Sequence, residues 1–396
     1  MKILIAEDDL VSRRILESRL VKWGHRVFTA RDGQEAWELF NNEEFSVVIT
    51  DWMMPGLDGV ELVRRIRSSR PSGYVYTILI TAKQQKKDLL EAMEAGADDF
   101  ITKPFDKDEL HVRLRAGERI IELEQNLAGR NRDLNIANER MSRDLEAASG
   151  IQRSLLPARA PDVSGFNFSW KFKPCEVLAG DFLNIFPLDE SHVGLYVLDV
   201  SGHGVPAALL SVTLSRLLSP NPHQSILLKK QPDSKDYTPV SPADVVLQLN
   251  NQFQFDPGTG QFFTLLYGIL NTLNGEFGFV SAGHPGLAHI PVNSDPVILT
   301  SPGFPIGFPD SEKEEYAENL IQLNSGDRLY IYSDGITEAK NADNELFWEN
   351  RLIESLSQNS HLTLDDSLTA LLETLAGWRG DEEYDDDITI IALERE

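Results

Sequence analysis

The stretch FSVVITDWMMPGLDG, residues 45–59, decides the fold of the first part of this 396-residue chain. Its apolar half, Phe45–Thr50, predicts a buried strand that ends at Asp51, and a helical pattern follows at Gly59–Ser68. The same alternation of short apolar runs and helical patterns surrounds it, with strands at Lys2–Ala6, Arg26–Thr29, Tyr76–Thr81 and Asp99–Thr102 and helices at Ser12–Trp23, Gly33–Asn41, Lys86–Ala95 and Lys107–Gly117. Alternating strands and helices imply right-handed crossovers and a parallel sheet covered on both faces. We therefore expect an α/β doubly wound domain with a five-stranded parallel sheet over residues 1–117.

Polar side chains follow four of these strands at the point where each strand ends. Glu7 and Asp8 follow the first, Asp51 the third, Thr81 the fourth and Lys103 the fifth. The carboxyl ends of parallel strands meet at one edge of a sheet, so these side chains should converge. Clustered carboxylates repel one another, and oxygen-only ligands suit Mg²⁺. An aspartate beside Mg²⁺ and a lysine can attack a phosphoryl group and form an acyl phosphate, to which Thr81 could donate a hydrogen bond.

These residues give residues 1–117 a resemblance to the receiver domain of two-component response regulators. The matching motifs are Glu7-Asp8, Asp51 followed by Met53-Met54-Pro55-Gly56-x-Asp58-Gly59, Thr81-Ala82 and Lys103-Pro104-Phe105. The resemblance implies that Asp51 is the phosphoacceptor and that a histidine kinase or another phosphodonor supplies the phosphoryl group. It also implies a Mg²⁺ ion held by Asp8, Asp51 and the Met53 carbonyl, with Glu7 reaching it through water. Thr81, Phe100 and Lys103 stand at the family's switch positions, although Phe100 lacks the hydroxyl of the tyrosine found in some relatives and could equally be a core aromatic.

Residues 118–150 differ in composition from the residues before them: they contain no proline and have glycine only at Gly129 and Gly150. Apolar residues recur every seven positions, at Ile120, Leu127, Leu134, Met141 and Ala148. This spacing predicts a long helical linker and possibly a parallel coiled coil that would make the protein a homodimer. A second seam of Leu123, Ala137 and Leu145 is weak and is interrupted by Asn131 and Asn138. A single amphipathic helix packed on its own domain is the alternative.

The chain from residue 151 onward is dominated by β patterns interspersed with long helices. Strands are expected at Phe166–Phe172, His192–Val200, Phe262–Leu270, Gly275–Ser281, Ala288–Val292, Arg328–Ser333 and Ile388–Leu393. Helices are expected at Pro206–Leu218, Pro242–Phe253, Trp348–Gln358 and Leu364–Trp378. Residues 220–241 read as a surface loop. The second part is therefore an α+β domain covering residues 151–396.

Several aspartates in this part stand beside small residues at strand ends. Asp181 follows Leu178-Ala-Gly, Asp199 and Asp334 end apolar strands, and Asp385-Asp386-Asp387 precede another. Carboxylates at one end of a sandwich core are costly unless cations neutralise them, and two metal ions a few ångströms apart can activate a water and bind a phosphate. Taken singly, the motifs favour blander interpretations. Asp334-Gly335 is a common turn pair, the acidic run at 381–387 is typical of a solvated loop, and His203 has no second metal-ligand residue at the usual spacing.

Together these pieces resemble the metal-dependent (PPM, type 2C-like) serine/threonine phosphatases of the bacterial sporulation and stress-response branch. The match runs from Ile151-Gln152-Arg-Ser-Leu-Leu-Pro157 to Asp386-Asp387-Ile-Thr389 and includes Phe263-Thr264, Ser281-Ala-Gly-His-Pro285, Gly303-x-x-x-Gly307 and Ser333-Asp-Gly-x-Thr-Glu338. The resemblance implies a β-sandwich flanked by helices. It also implies two Mn²⁺ or Mg²⁺ ions held by Asp181, Asp199, Asp334 and Asp386 with the Val200 carbonyl. Asn184 replaces an aspartate that many relatives carry, and we expect this to tune rather than abolish activity. By analogy, the substrate would be a phosphorylated anti-sigma-factor antagonist.

Composition excludes other classes of function. The net charge is −25, and residues 151–396 alone carry 14 Lys and Arg against 35 Asp and Glu, a net of −21. Such a chain lacks the basic face that nucleic acid or an anionic membrane surface requires, so a transcription factor is disfavoured. A single cysteine, Cys175, and the absence of a long apolar span predict a cytoplasmic protein. We expect a response regulator whose aspartyl phosphorylation controls a phosphatase through the linker and the Ile151–Leu156 segment. The alternative is a catalytically inactive, phosphatase-like adaptor that binds a partner protein.

Overall fold

The computed structural model describes residues 1–69, 71, 73–82, 86–221, 227–230, 238–254, 257–258, 260–308, 316–380 and 384–396. Its chain forms two compact units, residues 1–140 and 141–396. Most of the expected loop at 220–241 and the first three residues of the acidic run at 381–387 lie outside the described residues.

The first unit is a parallel sheet with helices along its connections. Its strands are β1 (Lys2–Ala6), β2 (Arg26–Ala30), β3 (Val47–Asp51), β4 (Tyr76–Thr81) and β5 (Asp99–Thr102). Its helices are α1 (Leu10–Lys22), α2 (Gly33–Asn42), α3 (Gly59–Ser68), α4 (Lys86–Glu94) and the start of α5 (Lys107–Ser154). The strand order β2-β1-β3-β4-β5 brings the carboxyl ends of β1, β3, β4 and β5 to one edge. The expected doubly wound five-stranded sheet is confirmed.

Helix α5 runs without a break for 48 residues, whereas the sequence suggested a helix ending at Gly117 and a separate linker helix. Gly117 does not end the helix because it lies inside it, where a β-carbon would overlap the ring of Tyr76 on β4. The glycine is therefore a close-packing residue. Further along the helix, Leu123, Leu127, Leu134 and Met141 are all more than half exposed.

The second unit is a sandwich of two five-stranded antiparallel sheets. Its strands are β6 (Phe166–Lys173), β7 (Phe182–Pro187), β8 (His192–Val200), β11 (Phe263–Asn271), β12 (Glu276–Ala282), β13 (Leu287–Ile290), β14 (Val297–Leu299), β15 (Asn319–Gln322), β16 (Arg328–Tyr332) and β17 (Ile388–Arg395), with a small pair of β9 (Lys229–Lys230) and β10 (Thr238–Pro239). Its helices are α6 (Val205–Leu217), α7 (Pro242–Gln252), α8 (Asp334–Thr337), α9 (Trp348–Gln358) and α10 (Leu364–Arg379). The sheet orders are β15-β12-β11-β8-β7 and β14-β13-β16-β17-β6.

Three apolar layers hold this unit together. The inner layer joins the two sheets through residues such as Leu195, Leu266 and Leu393. Helices α6 and α7 cover the outer face of the first sheet, and α9 and α10 cover the outer face of the second. The expected β-sandwich flanked by helices is confirmed. In the described part of the chain, no helix is long and apolar enough to span a membrane.

Strand β7 was missing from the sequence analysis, as were β14 and β15. Its sequence FLNIFP contains a polar residue in the middle and a proline at the end, so no clear period-two pattern marks it. It is the edge strand beside β8, where a proline is tolerated. This strand matters because it begins one residue after Asp181.

Candidate functional sites

The first candidate site is a pocket at the carboxyl edge of the parallel sheet. The Lys103 ammonium lies 2.8 Å from Asp51 Oδ2 and 3.0 and 2.8 Å from the two carboxylate oxygens of Glu7. Glu7 and Asp51 are buried, and Asp8 is exposed at the rim. One carboxylate oxygen from each of Glu7, Asp8 and Asp51 lies within 4.8 Å of the others. The structure therefore brings together the residues that the sequence placed at four separate strand ends.

The pocket carries more negative than positive charge. Burial raises the pKa of Glu7, the hydrogen bond from Lys103 opposes that shift, and the nearby Asp51 carboxylate adds to it. For Lys103, burial by itself would lower the pKa, but the hydrogen bonds to Asp51 and Glu7 outweigh it and the pKa is raised. One ammonium faces three carboxylates. A divalent cation with oxygen ligands fits this donor set.

The remaining residues expected at this site surround the cluster. Thr81 is buried at the end of β4, and its carbonyl accepts a hydrogen bond of 2.7 Å from the Lys103 amide. Phe100 is half-buried and packs with Val60 and Leu79. Met53 is exposed, two residues after Asp51. Switch residues and acidic residues thus share one edge of the sheet.

The second candidate site begins with a carboxylate that is sealed inside the sandwich. Asp181 is 1% exposed, and no hydrogen-bond donor contacts its Oδ2 in the described part of the chain. Burial raises the pKa of Asp181 well above its usual value, and the neighbouring carboxylates of Asp199 and Asp387 raise it further. An orphaned carboxylate oxygen in such a position is costly unless a cation reaches it.

The other three expected aspartates are linked to Asp181 through a series of neighbours: Asp199 raises the pKa of Asp181, and Asp334 and Asp386 in turn raise that of Asp199. Burial, followed by the Asp334 and Asp386 carboxylates, raises the pKa of Asp199 to about 8. Burial and then Asp386 raise the pKa of Asp334 to about 6. The pKa of Asp386 is also raised, first by desolvation of its carboxylate, although the residue as a whole is exposed. The four side chains form a gradient from buried Asp181, through half-buried Asp199 and Asp334, to Asp386 at the surface.

Glycines let the backbone enter this cluster. A β-carbon at Gly180 would lie 3.0 Å from the carbonyl oxygen of Val200, which is the carbonyl expected among the metal ligands. A β-carbon at Gly335 would overlap the carbonyl of Asp387. The loops that carry Asp181, Asp199 and Asp386 can approach closely only because these positions are glycine. The donor set of four carboxylates and one carbonyl, which includes the Asp181 oxygen without a donor among the described residues, is chemically suited to a pair of Mn²⁺ or Mg²⁺ ions.

Sequence reasoning missed the residue that holds the Asp181 loop in place. Asp387 is buried, and its carboxylate accepts hydrogen bonds from the backbone amides of Cys175 (2.8 Å), Gly180 (2.7 Å) and Asp181 (3.2 Å). The signal was present as a second aspartate directly after Asp386, but an acidic run does not show which of its members turns inward. Cys175, Asp386 and Asp387 also offer ligand atoms within 4.8 Å of one another.

Sequence reasoning also missed the contact between the end of α5 and the Asp181 loop. The Gln152 side chain is buried; it donates a 2.7 Å hydrogen bond to the Ala179 carbonyl and accepts a 3.1 Å one from the Ala179 amide. It also donates to Ser211 on α6 at 3.2 Å. The last turn of α5 is therefore fixed to the backbone two residues before Asp181. His203 forms an exposed pair with Glu176 at 2.9 Å.

Comparisons with known proteins agree with this division. A family model for the response regulator receiver domain matches residues 3–115, and one for Stage II sporulation protein E (SpoIIE) matches residues 189–396. The SiaA-PP2C domain of Pseudomonas aeruginosa superposes with a TM-score of 0.56 at 20% identity, covering 66% of this chain and 99% of that one. This likeness shows that the second unit has the PP2C fold.

Two curated relatives match only the first unit. The probable transcriptional regulator ycf27 of Guillardia theta is 44% identical over 115 residues, which are 29% of this chain and 44% of that protein. The chain thus spans less than half the length of that relative. A chemotaxis protein CheY homolog of Campylobacter jejuni is 37% identical over 116 residues, 29% of this chain and 89% of that protein. The chain belongs to the SpoIIE family and carries a response regulator receiver domain in its N-terminal unit.

Proposed function

We propose that the second unit is a metal-dependent protein serine/threonine phosphatase whose activity is controlled by phosphorylation of Asp51. The observation that carries the enzymatic part is the sealed carboxylate of Asp181, whose Oδ2 has no donor in the described part of the chain. A surface used only for binding a partner would not require a buried carboxylate oxygen without a donor at its base. The raised pKa values of Asp199 and Asp334 support the same cation-binding role.

Asp181, Asp199, Asp334, Asp386 and the Val200 carbonyl would hold two Mn²⁺ or Mg²⁺ ions. Two such ions supply an activated water and bind the oxygens of the phosphate. The protein's own contribution is to fix the ligands. Asp387 clamps the loop of Asp181 through three backbone hydrogen bonds. The half-buried walls also keep the carboxylates poorly solvated, which strengthens their attraction for a cation.

A phosphoserine protein incubated with the full chain and Mn²⁺ tests this proposal. We expect hydrolysis in the wild type and a loss of at least about 100-fold in Asp334→Asn, which keeps the shape of the side chain but removes a ligand charge. Asp343→Asn is the matched control, because Asp343 is exposed in a turn nine residues further on. Retained activity in Asp334→Asn would remove this residue from the site. No metal-dependent hydrolysis in the wild type would favour the inactive adaptor.

In the first unit, Asp51 would accept the phosphoryl group through attack of its carboxylate on phosphorus, as the bond to the donor breaks. Glu7 (through water), Asp8, Asp51 and the Met53 carbonyl would hold Mg²⁺. The Lys103 ammonium, already 2.8 Å from Asp51, would neutralise the oxygens of the transferred phosphoryl group. Thr81 and Phe100 would be the residues that change position in response to the new charge. A small phosphodonor should label the wild type and Asp133→Asn, an exposed aspartate on α5, but not Asp51→Asn.

The route from Asp51 to the phosphatase is proposed to be α5. This helix begins in the receiver at Lys107 and ends at Ser154, and Gln152 in its last turn holds Ala179 beside the Asp181 loop. A change in the position of the helix would change the geometry of a metal ligand. Phosphatase turnover should respond to a phosphodonor in the wild type and not in Asp51→Asn. Equal turnover under all four conditions would contradict the coupling.

The exposed stripe of Leu123, Leu127, Leu134 and Met141 supports a homodimer formed through α5 and the receiver. The proposed phosphodonor is a histidine kinase, and the proposed substrate is a phosphorylated anti-sigma-factor antagonist in the cytoplasm; both follow from the family resemblance. Incubation of the enzyme with such a phosphorylated antagonist, alongside an unrelated phosphoserine protein of similar size, tests the substrate. Equal rates on the two proteins would argue against the antagonist as the dedicated substrate.

A further inference from the structure

Two polar residues that are not among the proposed metal ligands, Thr264 and His284, form a hydrogen bond inside the second unit. Thr264 Oγ1 lies 2.8 Å from His284 Nδ1. The two residues belong to Phe263-Thr264 and Ser281-Ala-Gly-His-Pro285, motifs that the proposed metal chemistry leaves without a role. Their place in the fold relates them to one of the metal ligands.

Thr264 is the cross-strand neighbour of Asp199. Strand β11 pairs with β8 in a register that sets Thr264 directly opposite Asp199. Val197 on β8 and Leu266 on β11 belong to the apolar layer between the two sheets. Since side chains alternate along a strand, Asp199 and Thr264, each two residues away, point to the same side of the sheet. Opposite residues of an antiparallel pair have β-carbons about 4.5–5.5 Å apart, so the Thr264 side chain lies beside that of Asp199.

His284 is held in a rigid connection between the two sheets. It lies between β12 of the first sheet and β13 of the second, and it is only 7% exposed. Ser281 Oγ donates a 2.8 Å hydrogen bond to the His284 carbonyl, and the Gly283 amide donates a 3.0 Å one to the Gly303 carbonyl. Gly283 has a φ of +67°, and a β-carbon there would overlap Pro305. The backbone that carries the imidazole is therefore fixed on both sides of the ring.

The imidazole of His284 holds Thr264 without adding charge. Burial lowers the pKa of His284 to about 3, and the backbone of Tyr332, two residues before Asp334, opposes this shift. His284 Nε2 forms no hydrogen bond with any residue that the structure describes, so the bond to Thr264 is the fixed contact of the ring. A neutral imidazole has one donor and one acceptor nitrogen and can bond to a hydroxyl in either tautomer. A cationic side chain in the same place would repel the metal ions.

We propose that His284 and Thr264 are a positioning pair for the metal ligand Asp199. His284 holds the Thr264 side chain in one rotamer, and Thr264 in turn limits the rotamers that are open to Asp199. A ligand with fewer accessible rotamers loses less conformational entropy when it binds an ion. The inference rests on the proposed metal centre and adds two residues to it. The pair should raise the affinity for the metal and take no part in the hydrolytic step itself.

Thr264→Val tests the pair because it keeps the shape of the side chain and removes only the hydroxyl. Isothermal titration of the full chain with Mn²⁺ measures the affinity, and the binding that is lost in Asp334→Asn belongs to the second unit. We expect Thr264→Val to raise the Kd of this component about tenfold and Thr264→Ser, which keeps the hydroxyl, to restore most of the affinity. In phosphatase assays, Thr264→Val should need more Mn²⁺ but reach a similar kcat at saturation. Thr369→Val, at an exposed threonine of α10, is the matched control and should change neither quantity.

Variants of His284 show whether the two residues act as a unit. His284→Asn places an amide where Nδ1 now lies and should keep most of the Mn²⁺ affinity, whereas His284→Leu should lose as much as Thr264→Val. In the Thr264→Val background, His284→Leu should cause no further loss, because the bond is already absent. Additive losses in the double variant would overturn the proposal.

The remaining outcomes are also decisive. A Thr264→Val variant that melts at a lower temperature but binds Mn²⁺ as tightly as wild type would show a packing role only and would overturn the proposal. Unchanged affinity in His284→Leu would overturn it as well. If wild type binds Mn²⁺ but hydrolyses nothing, the proposed phosphatase activity fails by itself, and the pair is still judged by calorimetry. If Asp334→Asn loses no Mn²⁺ binding, the metal centre and the positioning pair fail together.

Discussion

Replacing Gln152 by alanine should destabilise the second unit selectively and should also damage its metal centre. The Gln152 side chain is buried and makes hydrogen bonds of 2.7 and 3.1 Å with the backbone of Ala179 and one of 3.2 Å with Ser211. Each such bond is worth about 1 kcal/mol net, and a stranded buried donor costs about 1–3 kcal/mol more. The Ser211 hydroxyl lies 3.5 Å from the Ala179 carbonyl oxygen and can still donate a hydrogen bond to it in the variant. The backbone amide of Ala179 is therefore the group that is left without a partner. We therefore expect a loss of about 2–4 kcal/mol in the free energy of unfolding.

Thermal unfolding with and without Mn²⁺ measures this effect. A protein with two units need not unfold in one step, so the second unit is identified as the transition whose response to Mn²⁺ is lost in Asp334→Asn. The melting temperature of that transition should fall by about 2–4 °C for each kcal/mol lost. Because Ala179 is two residues before Asp181, the variant should also need more Mn²⁺ for half-maximal phosphatase activity. Gln358→Ala, which removes an exposed glutamine from α9, should change neither quantity. A Gln152→Ala variant that melts within 1 °C of that control would refute the reasoning.

Three further outcomes are expected. Lys103→Met leaves the carboxylates of Glu7 and Asp51 facing each other. In Mg²⁺-free buffer the free energy of unfolding of the receiver should therefore fall by about 1–2 kcal/mol, given the partial exposure of the lysine, and its urea midpoint should fall with it; an unchanged midpoint would count against the ion-pair cluster. Burial lowers the pKa of His284 to about 3, so the unfolded chain protonates first as pH falls below about 6.5 and stability declines by up to ~1.4 kcal/mol per pH unit. Unfolding free energies from pH 7.5 to 5 should therefore fall more steeply in wild type than in His284→Asn, and parallel curves would contradict this. Leu134→Lys places a charge in the exposed stripe of α5, so the mass measured by light scattering should fall from that of a dimer to that of a monomer. The neighbouring control Asn135→Lys should leave the mass unchanged. A wild type that is already monomeric would contradict the proposed dimer.

The sequence was sufficient to predict the parallel sheet of the first unit because each of its strands is a short apolar run followed by a helical period. It also predicted that Asp51 and Lys103 meet, since parallel strands expose their carboxyl ends at one edge. The interior of the second unit was harder. Strand β7 has no periodic pattern. The sequence also does not distinguish Asp386 from Asp387, although the first is exposed and the second is buried and binds three backbone amides.

The role of Gln152 shows a second kind of limit. Its partners, Ala179 and Ser211, are 27 and 59 residues away and contribute mainly backbone or small polar groups, which carry no signature in composition or spacing. Arg379 is similar, because an arginine at the end of a helix normally interacts with the last carbonyls and with solvent. In the structure it is buried instead, and its guanidinium stacks on the Tyr384 ring. Contacts of this kind depend on tertiary packing and cannot be read from local pattern.

The hydrogen bonds from the Asp181 loop to Asp387 have a consequence for the order in which the second unit can fold during synthesis. The residue lies one position before β17, which pairs with β6 on one side and with β16 on the other and so joins the edge strand β6 to the rest of its sheet. During synthesis, Asp181 and Asp199 leave the ribosome about two hundred residues before β17, the strand that joins β6 to β16. Until residues 386–393 emerge, β6 lacks its neighbouring strand and the loop that bears Asp181 lacks its hydrogen bonds to Asp387. The proposed metal site therefore lacks both the Asp387 hydrogen bonds and one of its four aspartates, Asp386, until the last strand of the chain has been made.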